Sequence, residues 1–439
     1  FHIYYLKVKL KMKKGLIFLI ILTFIVILGN RFSTNSKLFG SVNEFLKVNL
    51  SDNLYVITRI IFSNRINTLR NLNDYNVSFL PVTEFQNLKF TKIKVNELEK
   101  EEAGYLAAYK KKQFSFHFAR YNDHIFLAGA NGKIIYSKVD ELKNSKPNFQ
   151  ILKHNLKDQK FSIRDIIIDD KKIYISIDIR RKKDCSNNEI FVANIDLKKK
   201  IEFKNLFSSL ECVSNLEAGK MQMWERDGER SILLSTSADG LKNDDESDPK
   251  PQNDKSLYGK ILLINIKNGD YKIFSKGHRN TLGLYANIDE NIILNTENGP
   301  KGGDEINSIL FGKNYGWDIA SYGTKYQNSL RAQNYKLSHE DSGFEEPIYS
   351  FVPSIGISEI VKIENNFSKN WFNNFLIGSM NSLHLYRVKF DNNYLKTLFV
   401  EKIYIGERIR DLIYLSNEKK ILLALEGTGS IGILEVKDE

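Results

Sequence analysis

Asn291-Ile292-Ile293-Leu294 is a polar turn running straight into a short apolar strand, and the same reading returns five more times along the chain. The other copies are His124-Ile125-Phe126-Leu127, Lys172-Ile173-Tyr174-Ile175-Ser176, Ser231-Ile232-Leu233-Leu234, Asn374-Phe375-Leu376-Ile377-Gly378 and Lys420-Ile421-Leu422-Leu423. Short apolar runs bounded by turn residues read as β-strands. Several are followed by a second strand, as in Gly132-Lys133-Ile134-Ile135-Tyr136 and Gly259-Lys260-Ile261-Leu262-Leu263-Ile264. The anchor positions 125, 173, 232, 292, 375 and 421 stand 46 to 83 residues apart, room for one four-stranded unit each with insertions. Six such units predict an all-β fold, a six-bladed β-propeller over residues 96–439. A two-sheet sandwich array is the alternative, but it has no need of six similar units.

Upstream the pattern changes. Within residues 31–95, Leu38, Val42, Phe45 and Leu46, and then Ile57 to Leu72, place apolar residues at helical spacing, predicting a short helical extension. Leu16 to Leu28 is apolar except for Thr23 and follows Lys7, Lys9, Lys11, Lys13 and Lys14, so residues 1–30 read as a signal anchor or signal peptide. Met12-Lys13-Lys14 reads as a natural start, and no small-x-small site follows the apolar run. The lysines place the N-terminus inside and everything after it outside. The expectation is an exported protein on the periplasmic side, held at the inner membrane by this segment or secreted.

The 439 residues are 42% hydrophobic and 27% charged, which excludes disordered and collagen-like chains. The net charge of +11 invites a nucleic-acid reading, yet five of those charges are the leading lysines. No RNP, zinc-knuckle or helix-turn-helix pattern accompanies the rest, so no nucleic-acid partner is expected. Cys185 and Cys212 are the two cysteines, and in an exported chain they read as a disulfide or as two free thiols.

Chemistry-bearing residues crowd between 277 and 317. Gly277-His278-Arg279-Asn280 is followed by Glu297-Asn298-Gly299-Pro300-Lys301-Gly302-Gly303-Asp304-Glu305-Ile306-Asn307, and Asn314-Tyr315-Gly316-Trp317 closes the block. Gly299-Pro300 and Gly302-Gly303 force irregular backbone that turns carbonyls outward, and Asp304 and Glu305 add hard oxygen ligands of the kind Ca²⁺ prefers. Arg279 offers a fork for a ligand carboxylate.

These linked motifs resemble those of the glucose/sorbosone dehydrogenase family, the soluble quinoprotein glucose dehydrogenases and aldose sugar dehydrogenases. The family pattern Gly-His-Arg-Asn-Pro-Gln-Gly is met by Gly277 to Asn280, with Thr281 and Leu282 departing; Glu-x-Gly-Pro-x-x-x-Asp-Glu-Ile-Asn and Asn-Tyr-Gly-Trp are met in full. Pro353-Ser354-Ile355, Phe375 to Ser379 and Arg408-Ile409-Arg410-Asp411 fit further family segments. The likeness is good from about 255 to 435, faint from about 112 to 255 and absent before that. It implies a PQQ-dependent enzyme that oxidises a sugar C1 hydroxyl by hydride transfer to a Ca²⁺-bound quinone and passes electrons to an acceptor of the respiratory chain. By the same resemblance Arg279, Asn280, Asn381, Arg408 and Arg410 would contact the cofactor, the three arginines converging on one cavity. Gly299 and Pro300 would hold the Ca²⁺, and Glu305 and Tyr315 would bind a second, structural Ca²⁺.

Departures from the family bear on catalysis. Its general base stands in a His-x-x-Gly-Arg segment, matched here by Leu216-Glu217-Ala218-Gly219-Lys220, so the base position is Leu216, which accepts no proton. No catalytic residue is identified; Glu217 is the adjacent substitute. The cofactor-facing lysine of the family falls on Asn381, and Phe161-Ser162-Ile163-Arg164-Asp165 replaces a Gly-Gly-Leu-Leu-Gly segment. His117, His124, His154, His339 and His384 have no partner pattern and read as structural. The alternative to an enzyme is a catalytically impaired propeller that binds a glycan or a protein.

Overall fold

The computed structural model describes residues 88–437 apart from 101–112, 145, 157–160, 183–184, 212, 214–217, 227, 239–249, 325–334 and 365. The expected membrane segment at 1–30 and nearly all of the helical extension therefore lie outside the described residues. Among the described residues, no helix is long and apolar enough to cross a membrane.

Six four-stranded antiparallel sheets make up the ring. Their inner strands are Phe116–Tyr121, Phe161–Asp169, Met221–Arg226, Thr281–Asn287, Ile357–Ile363 and Ile409–Leu415. The recurring apolar run is the second strand of each blade: His124–Gly129, Lys172–Lys182, Glu229–Ser235, Ile292–Glu297, Asn374–Ser379 and Lys420–Leu425. Every residue of Ile292–Glu297 and of Asn374–Ser379 is buried, which is why these strands read as continuous apolar runs rather than as alternation. In the turns before five of them Asn122, Asp170, Asn291, Asn373 and Lys419 adopt positive φ one or two residues ahead of the strand.

Six hydrophobic clusters, one at each blade-to-blade interface, close the circle. Phe116, Phe118, Ile125 and Leu127 of the first blade pack with Leu422, Ala424 and Ile431 of the last. Leu88–Lys94 pairs antiparallel with Ser430–Val436 and supplies the outermost strand of that last blade. This corrects the expected boundary, since a stretch assigned to the helical extension is propeller. Leu88 and Ile93, five residues apart, leave this strand on opposite faces, Leu88 toward the fifth blade and Ile93 toward the first.

Cys185 is disulfide-bonded, and Cys212, the one other cysteine in the sequence, lies outside the described residues. The neighbouring Ser186 and Val213 exchange two backbone hydrogen bonds of 2.7 and 3.2 Å, which join these two segments.

Candidate active site

All six inner strands begin on one face of the ring. Phe116 pairs with Gly129, Thr281 with Glu297, Ile357 with Ser379 and Ile409 with Leu425, so each starts where its neighbour ends. The turns between second and third strands open on this same face, here called the mouth, and the expected cofactor residues gather on its rim.

Arg279 and Asn280 immediately precede the fourth inner strand and are buried. Glu297 organises them: its carboxylate accepts from the Arg279 backbone N–H and lies 3.0 Å from His278 Nδ1, while the His278 ring stacks on Tyr315. The Arg279 guanidinium lies 5.2 Å from the Trp317 ring and donates to the carbonyls of Asn298 (2.7 Å) and Gly299 (3.1 Å). Arg408 and Arg410 share one fully buried carboxylate, Glu426, through their Nε atoms at 2.9 and 2.5 Å. Arg408 also donates to the Met380 carbonyl and to Asn381 Oδ1, so Asn381 sits against this arginine. The turn leading into the fifth inner strand links the two sectors, since Asn298 Nδ2 donates to the Ile357 carbonyl and Asn381 N to that of Ile355. Arg279 and the Arg408–Arg410 pair thus lie on one face, two blades apart.

Asp304 and Glu305 do not form a paired ligand. They are successive residues of the strand Asp304–Ser308, so their side chains leave on opposite faces. The Asp304 carboxylate is filled by four donors: Gly299 N, Ser354 Oγ, Ile355 N and Ile357 N, at 3.0, 2.6, 2.9 and 3.0 Å. Glu305 is buried 3.8 Å from His339 Nε2, and burial pushes its carboxyl up to about 8 against the pull of that histidine. Tyr315 donates its hydroxyl to the Ser308 carbonyl, at the far end of the strand from Glu305. Among the described residues, no group of three or more His, Cys, Asp or Glu side chains is arranged to hold a metal ion. Leu216 and Glu217 lie outside the described residues.

Sequence reasoning missed the centre of the ring. On the axis, one step below the rim, the Lys220 ammonium meets Asp165 (2.8 Å), Asp411 (3.1 Å) and Glu359. The carboxylates reach onward to backbone: Asp165 accepts from Met221 N, Asp411 from Phe118 N, and Glu359 from Ile360 N and Leu284 N. One lysine therefore ties the inner strands of all six blades together. Gly219, at φ +135, lets the chain reach this position, because a Cβ there would meet Arg164 Cβ at 2.6 Å. His117 completes the cluster, its Nδ1 3.8 Å from Asp411 and 4.0 Å from Asp165.

One ammonium among three buried carboxylates leaves the cluster short of positive charge, and protons make up the difference. Burial, with Asp411 and Asp165 adding to it, holds the Glu359 carboxyl well above the usual range, and it lies within hydrogen-bond reach of Asp411. Burial would raise Asp411 too, but Lys220 and His117 outweigh it and hold that carboxylate well below the usual range. For Lys220 the three carboxylates overcome burial and keep the ammonium charged. Burial keeps the His117 imidazole below its ordinary value, and therefore neutral near pH 7. Asp165, Lys220 and Asp411 all lie within stretches that carry the motif comparison; His117 and Glu359 carry no local signal.

A ring of six blades with this loop block matches the glucose / sorbosone dehydrogenase family across residues 165–431, and the chain belongs to that family. Among curated relatives, it is 25% identical over 204 residues to the aldose sugar dehydrogenase of Escherichia coli, covering 42% of this chain and 51% of that protein. It is 37% identical over 92 residues to quinoprotein glucose dehydrogenase B of Acinetobacter calcoaceticus, 19% of that protein's length. The chain thus spans about half or less of the curated relatives it matches. Among solved structures, a glucose dehydrogenase superposes with a TM-score of 0.62 at 19% identity, covering 80% of this chain and 100% of the other. The PQQ-bound aldose sugar dehydrogenase of Streptomyces coelicolor superposes at 0.56 and 17% identity, covering 80% of this chain and 100% of the other. At such identities these structures speak for the fold.

Proposed function

We propose that this chain is a PQQ-dependent sugar dehydrogenase that oxidises the C1 hydroxyl of an aldose at the mouth of the propeller. The observation that carries this reading is the arginine arrangement on the rim. Arg408 and Arg410 share the single carboxylate of Glu426, and the Arg279 guanidinium is held by carbonyls rather than by a carboxylate, so these three cations suit a ligand with several carboxylates. Arg410 spends only its Nε inside the protein, and its two terminal nitrogens find no protein partner among the described residues. They are the donors expected to take a quinone carboxylate, with Arg408 and Asn381 beside them and Arg279 and Asn280 across the rim. PQQ bound there supplies a two-electron acceptor. The chain's own residues bind it, fix its orientation and, with Trp317 under Arg279, shield that wall from water.

The loop residues as arranged do not fit a calcium ion. The Gly299 carbonyl already accepts from a cationic guanidinium, and Asp304 has no lone pair to spare. No step is derived through Ca²⁺. The quinone-free protein is expected to show the same melting temperature with added Ca²⁺ and with chelator; a rise of several degrees with Ca²⁺ would show that Arg279 yields the carbonyls to the ion.

Export to the periplasmic side, attachment through the N-terminal segment and a respiratory-chain acceptor belong to the same reading. The disulfide of Cys185 supports an oxidising compartment. Quenching of tryptophan fluorescence by added PQQ tests the whole. Arg410→Ala is expected to weaken binding on the order of 10- to 100-fold, the worth of a charge-assisted hydrogen bond. Unchanged affinity in Arg410→Ala and in Arg408→Ala, or no binding by the unaltered protein, would sink the reading.

A further inference from the structure

Removing a hydride from C1 requires that the hydroxyl proton go to a base, and the family position for that base is Leu216. We propose that His117 is the proton acceptor of this enzyme, an assignment that rests on the quinone-dependent reading above. His117 is the second residue of the first inner strand, which descends from the mouth. The segment leading into that strand is bonded to the arginine carboxylate: Gln113 Nε2 donates to Glu426 Oε1 at 3.4 Å and Phe114 N to the Glu426 carbonyl at 3.1 Å. The imidazole therefore stands between the Arg408–Arg410–Glu426 group on the rim and the Lys220 cluster on the axis.

The ring is 6% exposed and its Nδ1 has no hydrogen-bond partner, an arrangement that costs stability unless it serves something else. The groups facing it are Asp411 from the sixth blade, Asp165 from the second, Lys220 from the third and, behind Asp411, Glu359 from the fifth. Elimination among these leaves His117. Lys220 holds its proton against the carboxylates around it, Glu359 already carries one, and Asp411 and Asp165 are each engaged by the Lys220 ammonium and a backbone N–H. A neutral imidazole is free to accept, and the resulting cation lies within 4.0 Å of two carboxylates that stabilise it. With the resident proton on Nδ1, which lies 3.8 Å from Asp411, Nε2 is the accepting atom.

The step balances. The O–H bond breaks and its proton bonds to His117; the C1–H bond breaks and the hydrogen leaves with its electron pair to the quinone; the C1–O bond becomes a carbonyl. The imidazolium then returns its proton to solvent in the mouth.

The test uses the quinone-loaded full chain in a dye-linked aldose assay across about pH 5 to 9, beside fluorescence titration of quinone binding. His117→Gln is expected to bind PQQ as the unaltered chain does while kcat falls on the order of 100-fold or more. The rising limb of the kcat–pH profile, set by the imidazole, should vanish with it. His117→Gly should regain turnover when free imidazole is added, a rescue that a merely structural histidine would not give. His117→Asn covers a glutamine variant that fails to fold. Normal kcat and an unchanged pH limb in either folded variant would overturn the assignment while leaving the quinone reading intact. An unaltered chain that binds no quinone, or binds it and oxidises no aldose, would overturn both.

Discussion

Lys220→Met is expected to cost about 3–5 kcal/mol of folding stability, measured by urea unfolding, because it strands the buried carboxylates beside Lys220 without their cation. Methionine keeps the length and bulk of the side chain, so the loss reports charge rather than a cavity. Its size should depend on pH. Glu359, whose carboxyl is held above its unfolded value, contributes stability that is present in acid and lost as pH rises through its folded value. Asp411, held below its unfolded value, contributes stability that is present at neutral pH and lost as pH falls. Without Lys220 the Asp411 contribution disappears, so the variant should be least disadvantaged in mild acid, where protons replace the ammonium. A loss under about 1 kcal/mol near pH 7 would mean that the axial cluster does not hold the ring.

Asp304→Ala should cost about 3 kcal/mol or more, since it leaves the buried N–H groups of Gly299, Ile355 and Ile357 without an acceptor. Asp304→Asn should cost less, because one oxygen can still accept. The effect should reach the rim as well. Asp304 clamps the Gly299 turn to the turn ahead of the fifth inner strand, and the Gly299 turn carries the Asn298 and Gly299 carbonyls that hold Arg279. Quinone affinity in Asp304→Ala should therefore fall alongside stability. Wild-type affinity in a destabilised variant would show that the clamp serves the fold alone.

The blade count was legible because the second strand of each blade is buried on both faces, and burial of that kind writes itself into six neighbouring residues. Leu88–Lys94 was not assigned as a strand, because its apolar residues at 88, 90 and 93 break strict alternation, its partner Ser430–Val436 stands at the other end of the chain and helical spacing precedes it. Arg279, Arg408 and Arg410 were legible through linked motifs. The role of Asp304 was not, since a carboxylate next to glycines looks the same whether it meets a cation or a set of backbone N–H groups. The axial cluster was hidden for a different reason. His117, Asp165, Lys220, Glu359 and Asp411 come from five blades, and only closure of the ring makes them neighbours.

That closing strand also orients the molecule. Lys94 pairs with Ser430, which adjoins Leu425 and Ile409 at the mouth, whereas Leu88 pairs with Val436 at the opposite end of the blade. Leu88, the first of the described residues, therefore stands at the back of the ring. An attachment made at Leu88 would pull on the side away from the arginines and leave the mouth facing outward.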